Sequence, residues 1–257
     1  GARIATIEQP AANGFRLTRA ALEKAITAKT RGIALATPCN PTGNVYSREE
    51  LEWVAEVARE HDLWVISDEV YGQITYDQPH LSVASLPGMA ERTVVLNSLS
   101  KTHAMTGWRV GWVVAPTALV GHLDNLLLCM LYGLPGFIQE AAIKALELDD
   151  EVVSDARTVY RRRRDLVVAG LGGIADLDCR VPQAGMFMLV DVRRTGLSSM
   201  DFAWQLFRAT GVSVLDAQAF GASAEGFVRI SFTVADDTLK DACQRIAGFV
   251  EGLRANR

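Results

Sequence analysis

The feature that most constrains the fold is a series of short apolar runs, each ending at polar or turn-forming residues. They are residues 32–37, 63–66, 93–97 and 110–114. Runs of this length are typical of buried strands, because helices usually need more residues. A helical pattern separates the first two runs. This order predicts a β-α-β unit in a mostly parallel sheet that is covered by helices.

The rest of the chain is predicted to form helices and then a second group of strands. A capping-box motif from Ser47 to Glu50 predicts the start of the helix between the first two strands. Residues 116–171 have a helical pattern, and we expect two helices that meet near Gly133. Further strands are expected at 186–191, 212–215 and 227–232, and further helices at 198–209 and 236–253.

The fold class predicted from this order is α/β, with a mostly parallel central sheet flanked by helices and a smaller C-terminal α+β domain. The sequence changes character after the long helical segment. We therefore expect a large domain over residues 1–172, which ends in a connecting helix, and a small domain over 173–257.

Composition argues against several functional classes. The net charge is −4, so no overall positive field attracts nucleic acid or an anionic membrane. The run from Arg161 to Arg164 is a local exception, and we expect it to form a solvated or interface face of a helix. The most apolar stretch, residues 126–138, is too short to span a bilayer.

The cysteines and histidines predict neither a metal site nor a disulfide framework. The four cysteines form no C-x-x-C pair, and the four histidines lack metal-binding spacing. Widely spaced cysteines of this kind are typical of a reducing compartment, so a cytoplasmic location is expected.

Lys101 is the candidate catalytic residue. It follows the third apolar run in the sequence Ser98-Leu99-Ser100-Lys101. In mostly parallel sheets, ligands bind beyond the carboxyl ends of the strands. A lysine at such an edge can hold its amine beside a carbonyl group and form a Schiff base with it. The short motif alone also fits a solvated surface lysine.

Asp68 and Tyr71 follow the second apolar run. A carboxylate at this position can pair with the ring nitrogen of a cofactor and keep it protonated, so that the ring accepts electrons. The alternative is that Asp68 only caps the next turn. Tyr71 can donate a hydrogen bond to an oxygen on the same ring, or it can pack at the end of the sheet.

Four more polar residues complete the first part of the candidate site. Asn40 begins the turn-forming sequence Asn-Pro-Thr-Gly, and its amide can donate to a ligand oxygen. Ser98, Ser100 and Arg109 supply two hydroxyls and a guanidinium, a set that suits a phosphate dianion. Because Arg109 lies between apolar residues, we do not expect it to be simply solvated.

Arg229 lies inside the apolar run from Phe227 to Phe232. A charge in the middle of such a strand is rarely incidental. Arg229 is therefore expected either to pair with an acid in the core or to bind the carboxylate of a substrate.

Together these motifs resemble the class I and II aminotransferases, which are fold-type I enzymes that use pyridoxal 5′-phosphate (PLP). The matching segments occur in the order of the family and cover nearly the whole chain. They are Asn40-Pro41-Thr42-Gly43, Asp68-Glu69-Val70-Tyr71, Ser98-Leu99-Ser100-Lys101, Gly107-Trp108-Arg109-Val110-Gly111 and Arg229. Stretches at 96–109, 128–133 and 160–166 look much like the bacterial arginine–pyruvate aminotransferases, although the substrate side chain does not follow from this.

The resemblance implies that one group of residues holds the cofactor. Lys101 binds it as a Schiff base, and Asp68 pairs with the pyridine nitrogen. The remaining residues contact its oxygens: Tyr71 and Asn40 the phenolic oxygen, and Ser98, Ser100 and Arg109 the phosphate.

The same resemblance implies a ping-pong reaction. An L-amino acid leaves its amino group on the cofactor and departs as a 2-oxo acid, and a second 2-oxo acid takes the amino group. Lys101 moves the proton of the substrate Cα, while Arg229 and Asn40 bind the α-carboxylate. Active sites of the family lie at a subunit interface, so a homodimer is expected, with residues 116–172 as contributors.

Family members also have an N-terminal segment before the position that matches Gly1. That segment carries a glycine-containing phosphate loop and an aromatic residue that stacks on the cofactor ring. The resemblance therefore implies an N-terminally incomplete chain. We expect the 257 residues alone to bind PLP weakly or not at all, to be inactive and to leave a sheet edge unpaired.

Two alternatives to an aminotransferase have the same fold. A PLP-dependent lyase, such as a C–S lyase, or a decarboxylase differs in which bond at the substrate Cα is cleaved, and the sequence shows this poorly. An effector domain of a PLP-sensing transcription regulator would accompany an N-terminal winged helix-turn-helix, and nothing in the 257 residues resembles one.

Overall fold

A sheet of four strands is the centre of one of two structural units in the computed structural model, which describes residues 1–255. The first unit contains residues 1–7, 17–38 and 45–157, and the second contains residues 8–16, 39–44 and those from 158 onward. Each unit has an apolar core of its own.

The strands of the first unit follow the predicted order. They are β1 (Gly32–Ala36), β2 (Trp64–Asp68), β3 (Thr93–Ser98) and β4 (Gly111–Val114). Strands β1, β2 and β3 are parallel neighbours, while β4 pairs with β3 in the antiparallel direction. The mostly parallel sheet of the predicted α/β fold is therefore confirmed.

Six α-helices precede the second group of strands. They are α1 (Arg19–Ala25), α2 (Arg48–Glu60), α3 (Leu99–Thr102), α4 (Thr117–Leu131), α5 (Gly136–Glu147) and α6 (Asp149–Leu171). The expectation of two helices over residues 116–171 is wrong, because a second break at Leu148 produces a third helix. Asp149, Asp150 and Glu151 follow this break, and acidic residues stabilise the first turn of a helix.

Helix α2 begins with the predicted capping box. Ser47 Oγ accepts a hydrogen bond from the Glu50 backbone N–H at 3.2 Å, and Glu50 Oε2 accepts one from the Ser47 backbone N–H at 2.7 Å. Glu50 is buried, and its Oε1 also accepts from the Leu17 backbone N–H at 3.0 Å. One face of the helix, including Leu51 and Val54, contributes to the core of the first unit.

The second unit contains an antiparallel sheet with the strand order β5-β6-β8-β7. Its elements are β5 (Asp178–Arg180), β6 (Phe187–Asp191), α7 (Ser199–Thr210), β7 (Leu215–Asp216), β8 (Phe227–Ser231) and α8 (Asp236–Ala255). Together with the C-terminal part of α6, they form the α+β arrangement expected for the C-terminal part of the chain.

Two strands of this sheet differ from the prediction. Strand β5 was not expected, since it is three residues long and shows no alternation that a sequence pattern could reveal. The strand expected at 212–215 is wrong in its bounds, because β7 contains only Leu215 and Asp216. Val212 and Val214 pack against the apolar core of the second unit without joining the sheet.

The central strands β6 and β8 have apolar residues on both faces. Met188 and Val228 belong to the main core of the second unit, which also contains residues of α6, α7 and α8. On the other face, Leu189 and Phe227 pack with Phe15 in a smaller cluster. Because both faces are covered near their centre, the two strands form a rigid base for side chains at their ends.

The arginine run in α6 is only partly the solvated or interface face that the sequence predicts. Arg162 Nε lies 2.8 Å from Asp236 Oδ2, and Arg163 Nε lies 3.2 Å from Asp236 Oδ1. Arg164 is buried and donates to Asp165 Oδ1 at 2.8 Å, so the prediction is wrong for this residue. The two ion pairs with Asp236 connect α6 to the first turn of α8.

Helix α4 has no buried residue, although it is strongly apolar. Its exposed side chains include Leu126, Leu127, Leu128, Met130 and Leu131. An apolar surface of this extent commonly marks a contact with another polypeptide. Within residues 1–255, no helix has both the length and the apolar character needed to cross a membrane.

The ion pairs at the start of α8 predict a pH-dependent contribution to stability. Hydrogen bonds from Arg162 and then Arg163 hold the pKa of Asp236 below its ordinary value of 3.8. The contribution is therefore complete above 3.8 and disappears as the pH falls through the lowered pKa. We expect Asp236→Asn to lower the Tm at neutral pH and to have less effect in acid.

The neighbouring variant Asp237→Asn is the control, because Asp237 is exposed and bonds only within its own helix, to Lys240. Calorimetric melting of both variants at neutral pH and below pH 3.8 measures the difference. An equal loss of Tm by Asp236→Asn at both pH values would contradict the assignment.

Candidate active site

The adjacent carboxyl ends of β2 and β3 carry most of the candidate residues. The two strands are parallel neighbours, with Asp68 in register with Leu96. Asp68 is the last residue of β2 and Ser98 the last of β3. Helix α3 begins directly after Ser98 and contains Lys101. The structure therefore brings these segments to one edge of the sheet, as the sequence predicts.

Ser98 fixes the turn that leads to Lys101. Its Oγ accepts a hydrogen bond from the Ser100 backbone N–H at 3.0 Å and caps α3. The same oxygen lies 2.7 Å from the Val110 carbonyl oxygen and 2.9 Å from Ser100 Oγ. The two hydroxyls are thus next to each other, and the turn is tied to the residue that precedes β4.

Lys101 and Tyr71 approach each other at this edge. Lys101 Nζ lies 6.0 Å from the centre of the Tyr71 ring, at the outer limit of a cation–π contact. Tyr71 is buried, and Lys101 is half-buried. Nζ makes no hydrogen bond or ion pair with any of residues 1–255, so its amine is available to a ligand.

The backbone of Asp68 is held from both sides. Its carbonyl oxygen accepts from the Thr37 N–H at 3.0 Å, and the N–H of the next residue, Glu69, donates to the Leu96 carbonyl at 3.0 Å. Asp68 Oδ1 accepts from the Val70 N–H at 3.2 Å. This bond fits the turn-capping alternative, and the carboxylate still has acceptor capacity for a cationic group.

Arg109 departs from the expectation that it is not simply solvated. It is exposed, and its Nη1 donates to the Thr106 carbonyl at 2.8 Å. Its backbone is left-handed, with a φ of 53° and a ψ of 46°. Such a conformation is unfavourable for arginine and is frequent at functional sites. After the tight turn at residues 106–108, the Arg109 side chain folds back onto the start of the same turn.

A buried carboxylate beside Asp68 was missed by the sequence analysis. Glu69 Oε1 accepts from Ser67 Oγ and from Ser82 Oγ, both at 2.8 Å, and Oε2 lies 2.9 Å from His80 Nε2. We call these four residues the Glu69 network. A second acid after Asp68 is its only local signal in the sequence, since no periodicity connects Glu69 with His80.

A cavity of about 320 Å³ adjoins the Glu69 network. Its walls include Glu69, His80, Asn97, Trp112 and Asp149. Of these residues, Trp112 is exposed and Glu69 is buried. All of these residues belong to the first unit.

Asn40 and Arg229 belong to the second unit, where they contact each other. Arg229 Nη1 donates to Asn40 Oδ1 at 2.8 Å. The guanidinium carbon also lies 5.1 Å from the centre of the Phe220 ring and 5.4 Å from that of Phe187. The sequence analysis missed both rings, because their contacts with Arg229 are made across strands and loops.

Burial affects three of the four thiols, while Cys129 is exposed. All four cysteines are free. Burial raises the pKa of Cys39 and of Cys243, and burial, with the nearby Asp178 carboxylate, raises the pKa of Cys179 to about 12. Among residues 1–255, no three His, Cys, Asp or Glu side chains are grouped as metal ligands would be.

Comparison with known proteins identifies the family. The family described as aminotransferase class I and II matches residues 1–246. The chain belongs to this family. Class I and II aminotransferases of this fold use PLP, so the cofactor that the resemblance implied is confirmed for the family.

Several similar proteins carry the names of aminotransferases. Arginine–pyruvate transaminase AruH of Pseudomonas aeruginosa is 51% identical over 96% of this chain and 63% of its own length. An aspartate aminotransferase of Pyrococcus abyssi is 41% identical over 91% of this chain and 61% of its own length. The chain thus spans less than two thirds of the length of these relatives.

Solved structures show the same fold. The aromatic aminotransferase of Pyrococcus horikoshii OT3 matches with a TM-score of 0.93 and 39% identity, covering 96% of this chain and 67% of that one. The aspartate aminotransferase of Thermus thermophilus with maleate matches with a TM-score of 0.88 and 32% identity, covering 94% and 63%. The predicted α/β class is therefore confirmed, while the roles of individual residues stay predictions.

The left-handed backbone at Arg109 predicts that two substitutions differ in stability. Arg109→Gly and Arg109→Ala both remove the guanidinium, but only glycine adopts a φ of 53° without strain. We expect the glycine variant to be more stable by about 1 kcal/mol. Urea denaturation of the two proteins measures this, and an alanine variant of equal or greater stability would show that the loop conformation is wrong.

Proposed function

We propose that the protein is a PLP-dependent aminotransferase of the EC 2.6.1 type, which moves the amino group of an L-amino acid to a 2-oxo acid. The observation that carries the proposal is the pairing of parallel strands β2 and β3. Their adjacent ends place the Asp68 carboxylate and the Lys101 amine at one edge of the sheet. This is where enzymes with such sheets bind their ligands.

The residues at this edge provide the groups that PLP requires. Lys101 supplies a primary amine for the aldehyde carbon, Asp68 an anion for the pyridine nitrogen, and Tyr71 a phenol for the ring oxygen. Ser98 and Ser100 offer neighbouring hydroxyls to the phosphate. Arg109 would join them as the cationic phosphate ligand, since its side chain is exposed and can turn toward an anion.

Bound PLP supplies an electrophilic carbon for the amino group and a ring that accepts the electron pair released at the substrate Cα. The other steps belong to the protein. Asp68 would hold the pyridine nitrogen in its protonated form. Lys101 Nζ would accept the proton from the substrate Cα and would donate it again when the amino group is transferred. The reaction is ping-pong, because the first product leaves before the second substrate binds.

We assign the α-carboxylate of both substrates to Arg229, with Asn40. A guanidinium binds carboxylates with two parallel hydrogen bonds, which a lysine cannot reproduce. The amide of Asn40 holds one nitrogen of the guanidinium at 2.8 Å. The rings of Phe187 and Phe220 contact the same group, which reduces its hydration and its freedom to rotate.

For the substrates, we propose arginine as amino donor and pyruvate as acceptor. The support is the identity of 51% with a transaminase named for this pair. A donor screen of the full-length protein with pyruvate and 2-oxoglutarate, including arginine, lysine, aspartate and aromatic amino acids, tests the proposal. Release of pyruvate and ammonia without a 2-oxo acid acceptor would instead support a lyase.

We also propose a homodimer that works in the cytoplasm. The support for the dimer is the exposed apolar surface of α4 within residues 116–172, which a second subunit could cover. The support for the location is the absence of disulfides among the four cysteines. The division into a large domain of residues 1–172 and a small domain of 173–257 is likewise proposed from the sequence pattern.

Replacement of Lys101 tests the central assignment. We expect Lys101→Ala to lower kcat by about 10²–10⁴-fold or more, because the Cα proton loses its acceptor. Lys144→Ala is the control, since Lys144 is an exposed lysine in an ion pair with Glu147. Borohydride reduction of the protein with PLP, followed by peptide mass spectrometry, should locate the cofactor on Lys101. A label on another lysine would reject the assignment.

Replacement of Phe220 tests the carboxylate site. We expect Phe220→Leu to raise the KM of both substrates about two- to fivefold, the equivalent of losing one cation–π contact, with little change in kcat. Phe207→Leu is the matched control, because Phe207 is similarly exposed but contacts Trp204. Equal KM values for the two variants would argue against a role of the ring at Arg229.

A further inference from the structure

We infer that the Glu69 network positions Asp68 and Tyr71, and that Glu69 and His80 are positioning residues for the reaction. The inference rests on the proposed PLP-dependent function. In that function neither residue touches the substrate or the cofactor, so any effect of their replacement must pass through the residues that do.

Glu69 directly follows the last residue of β2, and its N–H continues the pairing with β3. Side chains of a strand point alternately to its two faces. Ser67 and Glu69 are buried, while Asp68, between them, points to the other side. A carboxylate that is fixed on the buried side therefore fixes the direction in which the neighbouring Asp68 leaves the backbone.

The segment that follows β2 returns to Glu69 at His80 and Ser82. Ser82 Oγ and His80 Nε2 bond to the two oxygens of Glu69, at 2.8 and 2.9 Å. These bonds close residues 69–82 into a loop whose two ends are joined. Tyr71 lies inside this loop, so its ring is held by the same closure that holds Glu69.

Contact between His80 and Gly72 makes the closure tight. A Cβ atom on Gly72 would lie 2.9 Å from His80 Cδ2 and 3.0 Å from the Glu69 carbonyl oxygen. The imidazole therefore packs directly on the backbone next to Tyr71. Displacement of His80 must shift the backbone that carries this tyrosine.

The chemistry of Glu69 indicates a positioning role. A buried carboxylate costs stability even when it is hydrogen-bonded, and apolar side chains of similar size often fill such places at less cost. Glu69 is 5% exposed and has three polar partners. Directional bonds to two hydroxyls and an imidazole define one geometry, which apolar packing would not do.

The test compares two buried glutamates of the same unit. Glu69→Gln removes the charge of the network. Glu50→Gln is the matched control, because Glu50 is 4% exposed and accepts hydrogen bonds from two backbone N–H groups, that of Ser47 in the capping box of α2 and that of Leu17. Four quantities are measured on the full-length protein: the Tm, the Kd of PLP by equilibrium dialysis, and kcat and KM at saturating PLP.

We expect both variants to melt at lower temperature than the unaltered protein. Only Glu69→Gln should also raise the Kd of PLP and lower kcat, each by about 10- to 100-fold, the range seen when hydrogen bonds that orient metal ligands are removed. The KM of the amino donor should change much less, since the proposed carboxylate site does not include these residues.

A purely structural role of Glu69 predicts something else. In that case Glu69→Gln and Glu50→Gln would lower the Tm while leaving the Kd of PLP and kcat at the values of the unaltered protein. Such a result, or an equal loss of PLP affinity in both variants, would overturn the inference.

Two milder variants keep the test decisive if Glu69→Gln does not fold. Ser82→Ala removes one hydrogen bond of the network, and Gly72→Ala pushes His80 away without changing any charge. Both should shift the Kd of PLP and kcat in the same direction as Glu69→Gln. Normal values for both variants would overturn the inference.

Failure of the proposed function gives a different result. A protein without that function would bind no PLP and transfer no amino group before any substitution is made. Failure of the inference alone leaves the unaltered protein active and shows only in the comparison of Glu69→Gln with Glu50→Gln.

Discussion

Parallel hydrogen bonding of β2 to both of its neighbours is the constraint on which the candidate site depends. The pairing continues to the end of β2 and one residue beyond it. The Thr37 N–H donates to the Asp68 carbonyl, and the Glu69 N–H donates to the Leu96 carbonyl. The peptide group that joins Asp68 to Glu69 is therefore held by both neighbouring strands. Parallel strands also end at the same edge, so the turn after β3 lies next to Asp68. The position of the site thus follows from the sheet itself.

Much of the fold could be predicted because its signals are local. Short apolar runs indicate β1 to β4, and the capping box marks the start of α2 at its first residues. The break at Leu148 could not be predicted, since no glycine or proline marks it. Strand β5 is too short for a periodic pattern, and β7 begins later than its valines suggest because Val212 and Val214 enter the core. For β7, the packing of these two valines decides where the strand begins.

The candidate site divides in the same way. Lys101, Asp68 and Arg229 are visible in the sequence because each is a polar residue at the end of, or inside, an apolar run. The Glu69–His80 bond joins residues that are separated by an irregular loop. The contact of Arg229 with Phe220 likewise joins residues from different elements. For Arg109 the prediction from its apolar neighbours was a side chain that is not simply solvated, but the side chain after the tight turn is exposed. Local motifs identify the groups, and the chain path determines their partners.

The backbone at Arg109 has a consequence for which side chains this loop can accept. Its left-handed conformation is free of strain only for glycine, so every other residue at this position carries a conformational cost. Phe15, Asp62, Ala104 and Tyr132 also have a positive φ, so the chain carries this cost at several places. A substitution of Arg109 by any residue other than glycine therefore keeps the cost and loses the guanidinium.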